Sequence, residues 1–133
     1  MTLKKRIAPN RISELKDNEI FVFGSNLQGS HGGGAAAIAA KQFGAIWGQG
    51  VELQGKSYGI PTMHGGVAEI KPYVDEFIEF AKQNPHLNFL VTRIGCGIAG
   101  FTEEEMAPLF AEGVNVENVY LPDTFLDIIE DKL

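Results

Sequence analysis

The chain has 133 residues, a length that suits one domain, and we expect that domain to span residues 1–133. A formal net charge of −6 gives no basic field for nucleic acid, and no apolar run approaches the ~20 residues of a membrane span. A single cysteine, Cys96, excludes an internal disulfide and a multi-cysteine metal site. We therefore expect a cytoplasmic protein that binds no metal, cofactor, nucleic acid or membrane.

The first strong signal is a strand, a glycine loop and a helix in succession. Four consecutive apolar residues, 20–23, predict a buried strand, and the alanine-rich run at residues 35–41 predicts a helix that ends near Gly44. Between them lies the first glycine loop, residues 24–34, which ends in three consecutive glycines. Glycine loses the most backbone entropy on folding, so close packing alone seldom explains three. Unpaired N–H groups in the first helical turn are expected to hold a phosphate.

The middle of the chain predicts one loop, one strand and one helix. Residues 47–55 are rich in glycine, which predicts an irregular loop over the ligand face. Residues 57–62 predict a short strand that ends at Pro61, because proline lacks the N–H that a central strand needs. Apolar residues at helical spacing predict an amphipathic helix over residues 68–83.

A second glycine loop, residues 95–101, follows a strand predicted at residues 87–94. Thr102 and Glu105 form a capping box that predicts a helix from about residue 103. A strand at residues 116–121 and a helix at residues 123–131 complete the pattern. This alternation predicts an α/β fold with three α/β/α layers and a largely parallel central sheet. Ligands bind at the carboxyl ends of such strands, where both glycine loops fall.

Two common nucleotide-binding classes do not fit the glycine loops. Gly95, Gly97 and Gly100 match the dinucleotide-binding fingerprint, but the predicted helix starts only after the third glycine, whereas the fingerprint places that glycine inside the helix. The first loop continues with Ser30-His31 where a P-loop requires lysine and Ser or Thr. The residues therefore favour neither a classical dehydrogenase nor a nucleoside triphosphatase.

Three motifs in order carry a resemblance to a known family. Residues 12–15 (I-S-E-L) with 20–26 (I-F-V-F-G-S-N) resemble "D-I-T-x-L … A-I-V-N-A-A-N", and residues 32–38 (G-G-G-A-A-A-I) resemble "G-G-G-V-D-G-A-I". Residues 94–101 (I-G-C-G-I-A-G-F) resemble "I-G-T-G-I-Y-G-F-P". The chain thus resembles a small, divergent member of the macrodomain family, of bacterial or phage type. The family binds ADP-ribose, and some members hydrolyse its esters or glycosides.

The resemblance implies roles for both loops. Asn26 would hydrogen-bond the distal ribose, the backbone of residues 32–34 would contact that ribose and its phosphate, and residues 96–101 would wrap the diphosphate. Phe101 would pack against the distal ribose. The predicted ligand-binding residues are Gly24, Ser25, Asn26, Gly32, Gly33, Gly34, Gly95, Cys96, Gly97, Ile98, Ala99, Gly100 and Phe101.

Two positions depart from the family pattern. The aspartate that recognises the adenine amine in the family falls at Arg11, which puts adenine specificity in doubt. The aspartate that helps to activate water in one hydrolytic branch falls at Ala35, so a mechanism that relies on that acid is not available.

Asn26 and His31 are the candidate catalytic residues. His31, at the mouth of the first loop, is either a general base or a solvent-exposed loop histidine. His64 is a second candidate at the same face, and His86 is expected to be structural. A helix N-terminus is expected to lower the pKa of Cys96. A role as nucleophile is nevertheless disfavoured, because no third group is available to orient the reacting pair and the resemblance implies a position that accepts any small residue.

Trp47 and Tyr58 either stack on a base or belong to the core or a lid. The glutamates at residues 103–105 are interpreted as charges that favour the N-terminal end of the helix dipole. They would also repel an anionic ligand placed too near.

The leading hypothesis is a site for ADP-ribose or a related ADP-ribosyl nucleotide, with an ADP-ribosylated small molecule or protein as partner. If it hydrolyses ADP-ribosyl conjugates, water attacks the anomeric carbon, with His31 or the substrate's own phosphate as base. One alternative is a non-catalytic module that sequesters a nucleotide signal or reads ADP-ribosylated targets, which the alanine at position 35 favours. Another is a thiol-dependent hydrolase built on Cys96 and His64.

Overall fold

The computed structural model describes residues 6–131. The elements in chain order are β1 (Glu19–Ser25), α1 (Gly34–Gln42), β2 (Glu52–Gln54), β3 (Ser57–Pro61), α2 (Val67–Gln83), β4 (Asn88–Val91), α3 (Glu103–Met106), a 3-10 segment (Ala107–Asn115), β5 (Val119–Tyr120) and α4 (Asp123–Asp131). Within residues 6–131, no helix is both long enough and apolar enough to cross a membrane.

β1 is the central strand of a five-stranded sheet with the order β2-β3-β1-β4-β5. It runs parallel to β3 and β4, and β5 is parallel to β4, while the edge strand β2 is antiparallel to β3. Helices or loops connect the parallel strands, as βαβ units require. The predicted α/β fold with a largely parallel sheet is confirmed.

Residues 20–23 of β1 are all buried, because helices cover both faces of the sheet. Ile20 and Val22 belong to a large apolar cluster with residues of α2 and α4. Phe21 and Phe23 point the other way, into a smaller cluster with residues of α1. The two clusters follow from the two-residue period of a strand, and they place α1 alone on one face.

Most predicted boundaries agree with the structure. α1 ends at Gln42, followed by Gly44 in the left-handed region (φ 79°), and α2 and α4 match their predicted ranges. The capping box is present, with the Glu105 amide donating to the Thr102 hydroxyl at 3.1 Å. β4 and β5 are shorter than predicted, and α3 is a single turn that continues as the 3-10 segment containing Pro108.

The prediction that residues 47–55 lack regular structure is wrong in part. Residues 52–54 form β2, and Gly55 (φ 60°) makes the turn into β3. A strand of only three residues has too short a pattern to be seen in the sequence, and it forms because β3 provides a free edge for it.

Candidate functional site

A cavity of about 430 Å³ lies at the carboxyl ends of β1, β3 and β4. Because these strands are parallel, their ends meet at one edge of the sheet and bring the two glycine loops face to face. The predicted site residues that line the cavity are Gly24, Ser25, Asn26, Gly33, Gly34, Gly95, Cys96, Gly97, Ile98 and Ala99.

Three predicted ligand-binding residues lie outside the cavity wall. Gly32 is exposed, with open space where a side chain would be, and Gly100 is exposed with a φ of 82°. The ring of Phe101 is half-buried and packs against the large apolar cluster. The structure therefore brings Phe101 to the core rather than to the cavity wall, where a ribose contact would require it.

The first wall of the cavity is the N-terminus of α1. Its N-cap residue is Gly33, which provides no side-chain cap, and no acidic residue lies in the first turn. Gly34, Ala35 and Ala36 occupy the first three helical positions, and all three line the cavity. Amides at these positions have no intrahelical acceptor, so this wall presents hydrogen-bond donors at the positive end of the helix dipole.

The second wall is the second glycine loop, which is held in shape by its own hydrogen bonds. The amide of Phe101 donates to the carbonyl of Gly95 at 2.8 Å, and the amide of Gly100 donates to that of Gly97 at 3.0 Å. Within residues 6–131, no acceptor is found for the amides at positions 97–99. Residues 97–99 all line the cavity, so these unpaired amides lie at its wall.

Ile98 connects the two walls. Its side chain is 73% exposed and reaches toward the first loop, so that its Cδ1 atom would lie 3.1 Å from a Cβ placed on Gly33. Gly95, at the other end of the second loop, has a φ of 81°, and a Cβ there would lie 2.9 Å from the Met106 sulfur. Glycine at position 95 is therefore required by both backbone conformation and space.

The side-chain amide of Asn26 braces the first loop. Its oxygen accepts from the Ser30 amide, and its nitrogen donates to the Ser30 carbonyl, both at 3.0 Å. The next amide, of Leu27, donates to Nε2 of His64 at 2.8 Å. His64 thus carries its proton on Nδ1 and supports the loop from outside, where it is not among the residues that line the cavity.

His31 is buried, and both expectations for it, a base at the loop mouth and a histidine in solvent, are wrong. Only 1% of the residue is exposed, and its ring lies between Phe23 and Trp47 with centroids at 5.5 and 5.8 Å. Nε2 lies 2.8 Å from the carbonyl oxygen of Ile46, and no partner for Nδ1 is found among the described residues. The segment that carries Trp47 covers the ring, because the Gly48 amide donates to the Gly29 carbonyl and so joins this segment to the first loop.

The expected loop over the ligand face does not reach the cavity, since none of residues 47–55 is among its lining residues. Trp47 is 63% exposed and rests on His31, whereas Tyr58 is buried against Phe77 in the large cluster. Neither ring is at the cavity, so neither is placed to stack on a base there. His86 lies in the turn before β4, at the opposite end of the sheet.

Cys96 lines the cavity but is not activated. Burial, reinforced by the negative charge of Glu103, raises the pKa of Cys96 to about 11. The expected lowering of this pKa is wrong, because burial, and after it the charge of Glu103, disfavours the charged thiolate. A thiol that stays protonated near neutral pH is a poor nucleophile, and the thiol-dependent alternative loses its support.

Arg93 and Glu103 are the charged residues of the cavity wall. The Arg93 guanidinium donates to the Asn10 side-chain oxygen at 2.9 Å and to the Thr124 hydroxyl at 3.3 Å. Its Nε lies 3.8 Å from Oε2 of Glu103, and this buried oxygen has no hydrogen-bond partner in the described part of the chain. Sequence reasoning missed Arg93, although its position directly after a buried strand places it at the ligand edge.

A second cavity of about 370 Å³ opens beside the first. The two cavities adjoin along a shared set of lining residues, Gly34, Ala35, Thr92 and Arg93, and together they are called the groove. Arg11 lies in the wall of the second cavity. The position that holds arginine instead of the family's adenine-binding aspartate is therefore part of this groove.

Comparison with protein-family models, with curated proteins and with solved structures finds no match to this chain. Across residues 6–131, no group of three or more His, Cys, Asp and Glu side chains is arranged to hold a metal ion.

Proposed function

We propose that the groove binds ADP-ribose or a related ADP-ribosyl nucleotide, with the diphosphate held between the two glycine loops. The observation that carries the proposal is the pairing of two donor walls across one cavity. One wall is the uncapped N-terminus of α1, and the other is the unpaired amide run of residues 97–99. Backbone donors that converge from two sides are suited to an anion with several acceptor oxygens.

The shape of the groove supports an extended ligand. Its two adjoining cavities, of about 430 and 370 Å³, provide room on either side of Gly34 and Arg93. Pockets for small molecules and cofactors measure roughly 300 to 1,000 Å³. A diphosphate that crosses the middle of the groove would leave one cavity for a distal ribose and the other for a nucleoside.

The macrodomain resemblance supports the same assignment independently of volume. The residues that match the family's glycine motifs form the two loops that meet at the cavity. Asn26, which the resemblance implies as a ribose-binding residue, lines the cavity wall. Asn26 already bonds Ser30 through both amide atoms, so its role in this proposal is chiefly to hold the first loop in shape.

Binding without turnover is the use that the groove supports best. Position 35 is alanine, His31 is buried away from the cavity, and Cys96 remains protonated near neutral pH. Hydrolysis is the second candidate, and it would rely on the substrate's own phosphate as base for water attack at the anomeric carbon. The first use makes the protein a module that sequesters a nucleotide signal or reads ADP-ribosylated targets.

The test of binding is isothermal titration of ADP-ribose into the purified protein, with AMP and ribose 5-phosphate as part-ligands. Micromolar binding of ADP-ribose, with each part-ligand at least tenfold weaker, is expected if diphosphate and both ends contribute. Equal affinity for AMP would contradict the diphosphate clasp. Binding without turnover and hydrolysis are distinguished by measuring the release of ADP-ribose from an ADP-ribosylated protein with the same sample. Release faster than the uncatalysed rate would overturn binding without turnover.

A further inference from the structure

The polar lining of the second cavity consists chiefly of hydrogen-bond donors. Arg11 and Arg93 both line it, and no carboxylate does among residues 6–131. Arg93 is partly engaged, since its guanidinium donates to Asn10 and lies 3.5 Å from the Asp123 carboxylate. For the exposed Arg11 guanidinium, no hydrogen bond or ion pair is found within the described residues. Its donors are available to a ligand.

The rest of this cavity is largely apolar. Ile12, Phe21, Ile38 and Val91 contribute to its walls. Ile38, on α1, is 40% exposed and adds its side chain to this apolar wall. Apolar walls with a few polar groups at the edge suit a flat heterocycle, whose faces are apolar and whose edge is polar. A free phosphate would leave these walls in water.

We propose that Arg11 makes the second cavity selective for a 6-oxopurine base, such as guanine, over adenine. The proposal rests on the proposed function, since it concerns the nucleoside end of the same ligand. A guanidinium carries donors only, in a fixed fork. Guanine presents two adjacent acceptors, O6 and N7, which that fork can engage together, whereas adenine places its amino donor beside N7. Adenine would place its amino group, a donor, against the N–H donors of the Arg11 guanidinium.

The test compares two ligands that differ only in the base. GDP-ribose and ADP-ribose are titrated into the full chain, into Arg11→Lys, and into Arg11→Gln. A bidentate arginine contact predicts roughly tenfold tighter binding of GDP-ribose by the unmodified protein. Arg11→Gln removes the charge and offers an amide that can pair with adenine, so the ratio of the two affinities should fall to one or below. Arg11→Lys keeps a donor-only group without the fork, so it should retain only part of the preference.

Lys82→Gln is the matched control. Lys82 is exposed in the last turn of α2, away from the groove, and its change removes the same charge as Arg11→Gln. The control should keep the full preference for GDP-ribose. Thermal unfolding of all variants should match the unmodified protein, because both replaced side chains are exposed.

The outcomes separate this proposal from the one on which it rests. Binding of ADP-ribose by the unmodified protein as tight as that of GDP-ribose, or a full preference for GDP-ribose that survives in Arg11→Gln, overturns the base selectivity and leaves the nucleotide site standing. Tighter binding of ADP-ribose 2′-phosphate than of GDP-ribose also overturns it, because Arg11 would then be binding a phosphate. Failure of all three ligands to bind overturns both proposals.

Discussion

A carboxylate placed at Gly33 should disable the groove without unfolding the protein. Gly33 is the N-cap of α1 and lines the first cavity, and its φ of −150° is extended backbone that any residue adopts. A Cβ there would meet only Cδ1 of Ile98, at 3.1 Å, which is the far end of an exposed, flexible side chain. Gly33→Glu is therefore expected to fold with little loss of stability.

The magnitude follows from electrostatics. A glutamate at the N-cap would place its negative charge about 6 Å from a bound diphosphate, and at an effective dielectric constant near 20 two unit charges at that separation repel by about 3 kcal/mol. Solvent and salt reduce this value at a half-exposed position, so about 1 to 3 kcal/mol is expected. The affinity for ADP-ribose should thus fall by a factor of roughly 10 to 100.

The adjacent position provides the control. Gly32 is exposed, does not line the cavity, and has no atom within 4 Å of the point where a Cβ would stand, so Gly32→Glu adds the same charge one residue further from the proposed diphosphate. Titration calorimetry at constant ionic strength should show a much smaller loss for Gly32→Glu than for Gly33→Glu. Equal affinities of the two variants would refute the placement of the diphosphate at the α1 N-terminus.

Three further predictions concern the thiol, a buried amide and a close backbone contact. Because burial and Glu103 raise the pKa of Cys96 to about 11, alkylation by iodoacetamide should be slow near neutral pH and accelerate as the pH rises toward 11. Glu103→Gln should move this pH profile of the alkylation rate to lower pH, and an unchanged profile would contradict the contribution assigned to Glu103. Asn118→Ala removes a buried amide whose two N–H groups are shared among three backbone carbonyls at 2.9 to 3.0 Å, so urea unfolding should show a loss of about 2 kcal/mol. A loss below about 0.5 kcal/mol would argue against these bonds. A Cβ on Gly50 would lie 1.9 Å from the Asn26 carbonyl oxygen, so Gly50→Ala should lower the melting temperature. Gly32→Ala, which meets no atom and needs no left-handed φ, should lower it much less, and the reverse order would contradict this contact.

The sequence predicts those parts of the fold where local pattern and tertiary packing agree. α2 carries a clear helical period, and the apolar run of β1 becomes the central strand. The periodic apolar residues of α2 are buried: Ile70, Val74, Phe77, Ile78 and Ala81. The capping box of Thr102 fixes the start of α3 because it is a local hydrogen-bonding device. β2 was not predicted, because three residues are too few to show a pattern in the sequence. The strand forms through its pairing with β3, which only the folded structure shows.

For the candidate site, the sequence predicts the meeting of the two glycine loops but not the surroundings of the side chains. Both glycine loops meet at one cavity, since the parallel topology alone brings their strand ends together. The environment of His31 was not predictable, because its burial depends on a separate segment, residues 46–48, that folds over it. Arg11 and Arg93 lie more than 80 positions apart in the chain, and only the folded structure places them in one cavity.

The central claim, that backbone amides of both loops hold the ligand, is tested most directly by amide chemical shifts. ADP-ribose is titrated into uniformly ¹⁵N-labelled protein, and each backbone amide is followed in ¹H–¹⁵N correlation spectra. The proposal predicts that the largest shifts come from Gly34 and Ala35 in one loop and from residues 97–99 in the other, with a common saturation curve. Shifts confined to one loop, or largest on β2 and α2, would contradict it.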